Sequence, residues 1–130
     1  MDLARFDTKT RAAEGVEIEL TDLRTGKGAG VFLRMMGMDA DEFDDVFVQR
    51  QRQMASLMEH SGGKELSRAQ MVQLTVDLLA ACTLGWRGLE TAGVAFEFSA
   101  ANARRLYTDY PAIREQVNTA VADRTNFLLA

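Results

Sequence analysis

The chain has 130 residues, 47% hydrophobic and 26% charged, with one proline, the balance of a globular domain that buries about two thirds of its unfolded surface without disulfide or metal support. Fifteen Lys and Arg against nineteen Asp and Glu leave a net charge of -4, which disfavours nonspecific capture of nucleic acid, because that depends on an excess of cations. The most apolar stretch, residues 76–84, is short and carries Asp77 and Thr83, so the run of about 18 apolar residues that a membrane-spanning helix needs does not occur.

Val16, Ile18 and Leu20 alternate with Glu17 and Glu19, the period-2 pattern of a strand with one wet face. The glycines of Thr25-Gly26-Lys27-Gly28-Ala29-Gly30 tolerate positive φ, and Val31-Phe32-Leu33-Arg34-Met35-Met36 follows as a second strand-like run, so a β-hairpin is the economical reading. A lone hairpin is marginal in water, and its apolar face must pack on the helices that follow or pair with another copy. Asp39 is the expected N-cap of a helix of roughly 20 residues carrying Phe43, Val46, Phe47, Met54, Leu57 and Met58, whose acidic start suits the positive end of the macrodipole. His60-Ser61-Gly62-Gly63-Lys64 ends it.

Ser67 is placed to cap a second helix running to about residue 84, apolar around most of its circumference and therefore central. Gly85, Gly88 and Gly93 flank Trp86 in a turn-rich connection, and Val94-Ala95-Phe96-Glu97-Phe98 suits an extended segment or one more short strand. Ser99 caps a short helix to Tyr107. Pro111 opens a final helix on which Ile113, Val117, Ala120, Val121, Phe127 and Leu128 form one apolar face. The expected fold is α+β and mostly helical: one domain with an N-terminal hairpin over residues about 15–37 and about four helices over residues about 39–130.

Little here is suited to covalent chemistry. His60 is the one histidine and no nucleophile motif accompanies it, which reads as an exposed loop residue. Cys82 lies in the most apolar helix, reads as a small core residue and, being single, forms no internal disulfide. With no apolar leader-like run in residues 1–10, a reducing cytoplasm is the expected compartment. The glycines at 26, 28 and 30 lack the spacing and the Gly-Lys-Ser/Thr of a phosphate loop. The acids from Asp39 to Asp45 lack the glycine and terminal Glu of a calcium loop. No catalytic, cofactor or metal residue is assigned, and the chain does not read as an enzyme. Twelve of the fifteen basic residues are Arg, which favours bidentate contacts with carboxylates at interfaces. Flexible thioethers serve both cores and adaptable surfaces. Met35, Met36 and Met38 at the hairpin exit, with Phe127 and Leu128 near the end of the chain, are the candidate interaction surface.

The ordered series Leu84-Gly85-Trp86-Arg87-Gly88-Leu89, Val94-Ala95-Phe96-Glu97-Phe98-Ser99, Tyr110-Pro111-Ala112-Ile113 and Asp123-Arg124-Thr125-Asn126-Phe127-Leu128 resembles the tail assembly chaperones of long-tailed bacteriophages. Trp86, Pro111 and Asn126 stand out in that signature. The first half is similar in layout, with Thr25-Gly26 in the hairpin and Met38-Asp39-Ala40-Asp41-Glu42-Phe43 opening a helix, but it has Ala40 where the family usually has Ser. The resemblance implies a non-enzymatic protein of the host bacterial cytoplasm that binds the tape measure protein, keeps its apolar helices soluble and recruits tail tube protein. It also implies self-association to a homo-oligomer, no nucleic-acid or membrane partner, and absence from the mature virion. The competing expectation is a structural virion protein, either a head-tail connector or a tail terminator.

Overall fold

A computed structural model describes residues 1–129. The fold is α+β and mostly helical, with a strand hairpin near the N-terminus. A 3-10 turn, Leu3–Phe6, and a short helix α1, Lys9–Glu14, precede that hairpin. Neither was expected from the sequence, because α1 buries only Ala12 and so shows no periodic apolar stripe. Strands β1 (Val16–Thr21) and β2 (Gly28–Met35) pair antiparallel with Ile18 opposite Leu33 and a bulge beyond Glu19.

Helices α2 (Phe43–His60) and α3 (Arg68–Cys82) follow. Ser67 caps α3 in a reciprocal box with Gln70, through bonds of 3.1 and 2.8 Å, satisfying two of the orphan groups at the helix start. The N-cap expectation at Asp39 is corrected. Residues 37–44 descend through successive turns, and α2 begins only at Phe43, after Glu42. The Asp39 carboxylate is engaged instead by Thr8 and Arg124.

The segment after α3 is also corrected. Thr83–Arg87 is strand β3, which continues α3 without a linker and pairs with β2, Leu33 opposite Trp86. Gly85 weakens its propensity for strand, and the exposed flank of β2 supplies the pairing from far away in sequence. The sheet order is β1-β2-β3, leaving β1 and β3 as edges. Glu90–Thr91 (β4) and Val94–Ala95 (β5) make a small separate hairpin, whose two turn residues Ala92 and Gly93 both have positive φ, 51° and 78°, as a tight two-residue loop between right-twisted strands demands. Ser99 caps α4 (Ala100–Asp109), and Pro111 opens α5 (Pro111–Ala122).

The core lies between the inner sheet face and α3, α4 and α5, with Leu33, Met35, Leu79, Cys82, Leu106, Tyr107 and Val117 all buried. At its centre the Thr83 hydroxyl lies 2.7 Å from the Tyr107 hydroxyl, donates to the Leu79 carbonyl at 2.7 Å, and approaches the Met35 sulfur at 3.4 Å. Burial raises the Tyr107 phenol above its ordinary range and pushes the Cys82 thiol up to about 12, so both stay neutral and the thiol is a poor nucleophile.

Removing the Tyr107 hydroxyl takes one partner from a buried group, and Leu33→Ala opens a cavity under the middle strand. Urea unfolding should show Tyr107→Phe losing about 1 kcal/mol and Leu33→Ala losing about 3 kcal/mol.

Candidate interaction surfaces

Helix α2 has 18 residues, yet Phe43 is its one buried side chain. Its spacing resolves into two neighbouring heptad-type rows. The first, Phe43, Val46, Arg50, Gln53 and Leu57, is the row turned to α3: Val46 packs on the core and Gln53 donates to Asp77 on α3 at 3.1 Å. Asp77 also accepts from Arg104 on α4 at 2.7 Å, so one carboxylate ties three helices. The second row is Phe47, Gln51, Met54 and Met58, with Val48 and Ala55 beside it. Phe47 is 51% exposed, Val48 46% and Met58 37%. On α3, Met71 is 59% exposed and lines an open groove with Pro111 and Arg114 of α5.

Scattered exposed apolar residues are ordinary, whereas a continuous row at knob spacing is the form in which one helix accepts another. Sequence inspection placed Phe47, Met54 and Met58 in a single face with Phe43 and Leu57. The signal that separates them is the alternating spacing of each row taken alone, 3-4-3-4 in the first and 4-3-4 in the second.

The expected surface at the hairpin exit divides. Met35 is fully buried, Met36 is buried, and Phe127 is 2% exposed, packed where a Cβ on Gly37 would come within 2.9 Å of its ring. These three are core residues here, a correction with a simple cause: Met35 faces inward from the middle strand, and α5 ends at Ala122, so Phe127 lies off its apolar face on a separate 3-10 turn, Arg124–Phe127. Met38 and Leu128 do reach solvent.

Trp86 stacks on Phe96, meets Phe98 edge-on, and donates its indole N–H to the Phe96 carbonyl at 2.7 Å, holding the segment after β5 against the sheet. Pro111 occupies the first turn of α5, and the Asn126 side chain donates to the Ala120 carbonyl at 2.9 Å, closing the end of the same helix. The geometry therefore gives all three signature positions structural work. His60 is exposed, with Nδ1 2.7 Å from the Ser56 carbonyl. Among the described residues no group of three His, Cys, Asp or Glu is arranged to hold a metal, and no helix is long and apolar enough to cross a membrane.

Both ends of the described chain are clasped together. Arg124 donates twice to Asp39, at 2.8 and 3.0 Å, Thr8 donates to the same carboxylate at 2.7 Å, and the Leu129 amide donates to the Asp7 carbonyl at 3.0 Å. The Arg124 guanidinium, and after it the Thr8 hydroxyl, hold Asp39 below the ordinary 3.8. A lowered carboxyl contributes stability that is present above the unfolded value and lost as pH falls through the folded one. Asp39→Asn should remove this part of the acid sensitivity: its urea midpoint should fall less than that of the unaltered chain between about pH 6 and about pH 3.

A family model described as phage tail assembly chaperone matches residues 11–125. No curated protein and no solved structure matches the chain.

Proposed function

The chain belongs to the phage tail assembly chaperone family, and from that premise we propose that it binds the tape measure protein, covers the client's apolar helices while the tail is built, and brings tail tube protein to the complex. One observation supports this reading above the others: α2 uses one heptad row against α3, and in the next row Phe47, Gln51 and Met58 are exposed with Met54 half-buried between them. A client helix laid along that row covers its own apolar face and the chaperone's together, the helix-in-groove mode of recognition. Methionines make the row tolerant of different client side chains, and Gln51 in its middle weakens any single register. Several copies bound along one long client protect it by avidity rather than by one tight site. The acidic net charge of -4 keeps such multivalent complexes soluble. No step of this work requires a reactive group, and the protein acts in the host cytoplasm and leaves before the virion is finished.

Phe47→Asp and Met58→Asp place charges on the open row without touching the core. Co-expression with the cognate tape measure protein should show each lowering recovery of the complex by about tenfold, while the unfolding free energy changes by less than about 0.5 kcal/mol. Phe6→Asp, on the exposed N-terminal turn, should leave recovery unchanged. Undiminished complex with both α2 variants overturns the assignment of the row. Abundant copies in finished particles, counted by mass spectrometry, favour the connector or terminator role instead.

A further inference from the structure

β1 is an edge strand, and its outer side is met by a side chain where a neighbouring strand would lie. The Thr21 amide donates to Oε1 of Gln116 at 2.8 Å, and Nε2 of Gln116 donates to the Thr21 carbonyl at 3.0 Å. A primary amide presenting one donor and one acceptor to a single strand residue reproduces what an adjacent antiparallel strand offers. Backbone groups at every second strand residue point the same way, so Glu17 and Glu19 turn theirs to this side as well. Edge strands are ordinarily blunted by Lys, Pro or a covering element; β1 has neither Lys nor Pro, and Gln116 reaches only its last residue.

Beside this edge, between β1 and α5, an open groove of about 520 Å³ is lined by Glu19, Thr21, Glu115, Gln116 and Asp123 among others, and no Lys or Arg lines it. The Glu17 carboxylate is already paired with Arg87 of β3 at 3.2 Å, so the charge of this edge comes from Glu19 and the groove acids Glu115 and Asp123, and two β1 strands from separate copies would bring these acids against like charges, which is destabilising. An extended segment bearing Lys or Arg meets the opposite condition.

We propose that the β1 edge takes a basic, extended segment of a partner protein as an added strand, with the Gln116 amide holding the place until it arrives. Main-chain bonds to Glu17, Glu19 and Thr21 supply the attachment, and the groove carboxylates select the charge. This surface is separate from the open row of α2, so its failure leaves the tape measure reading intact.

The probe is a capped peptide of about nine residues alternating Val and Lys, long enough to span β1, titrated onto the full chain. Two controls accompany it: the same peptide with Glu for Lys, and one N-methylated on residues of both edges so that neither edge can donate. The Lys peptide should bind about tenfold more tightly than either control, and Glu115→Lys, a change at an exposed side chain, should weaken it about threefold. Gln116→Ala should tighten it about threefold by removing the competing amide, and Glu115→Lys keeps the question answerable where Gln116→Ala lowers stability. Amide exchange at Glu17, Glu19 and Thr21 should slow in the complex. Equal binding of the N-methylated peptide, which reduces the contact to charge attraction alone, or unchanged exchange at those three amides overturns the proposal.

Discussion

Enclosing α3 is the constraint on which the rest of the architecture depends. Its apolar residues occupy most of its circumference, with Leu74, Val76, Leu78, Leu79 and Cys82 buried on different sides. A helix of this kind is stable only if other elements surround it. The sheet, α2, α4 and α5 do so, and because α3 runs directly into β3 its axis also determines where the third strand meets β2. The hydroxyls of Thr83 and Tyr107 sit at that junction, each supplying the other's partner where an unpaired polar group would be costly.

Once α3 is covered, the remaining surfaces follow by subtraction. α4 and α5 are held on their inner faces by Leu106, Tyr107, Val117 and Val121, and their outer faces are polar. α2 turns one row to α3, and its second row is covered by the described residues only in part, at Met54, with Phe47 and Met58 exposed. The same logic applies to the sheet: β2 is bonded on both sides, which leaves β3 and β1 as edges, the latter partly occupied by Gln116. Unmet apolar surfaces are either protected or used, and the exposed residues of the α2 row are not protected.

Much of the fold was legible because local signals and tertiary demands agree. The alternation over Val16 to Leu20, the Ser67 and Ser99 caps, and Pro111 at a helix start each state locally what the structure adopts. The misreadings share a physical cause, which is that a distant partner decides. β3 is a strand because β2 needs a neighbour, despite Gly85. Asp39 is a suitable N-cap type by residue identity, but Arg124, 85 residues away, and Thr8 engage its carboxylate. Phe127 continues the spacing of α5 on paper; Asp123 instead caps a new turn with its side chain and swings Phe127 onto Ala12 and Gly37. Of the candidate surface, Met38 and Leu128 reach solvent, whereas Met35 and Met36 could not be told from surface residues without knowing that β2 is the middle strand.

The composition of the open row bears on what kind of binding it supports. A row of Leu and Ile at the same four positions would make a coiled-coil seam of high affinity and defined register, and two copies would then close on each other. Phe47, Gln51, Met54 and Met58 give up part of that energy: the thioethers conform to partners without demanding one shape, and the amide at position 51 loses water when covered. Each contact is consequently weak, and strength under the proposed function comes from the number of copies along one client. Weak, repeated contacts have short individual lifetimes, so under the proposed function a growing assembly would displace them one at a time.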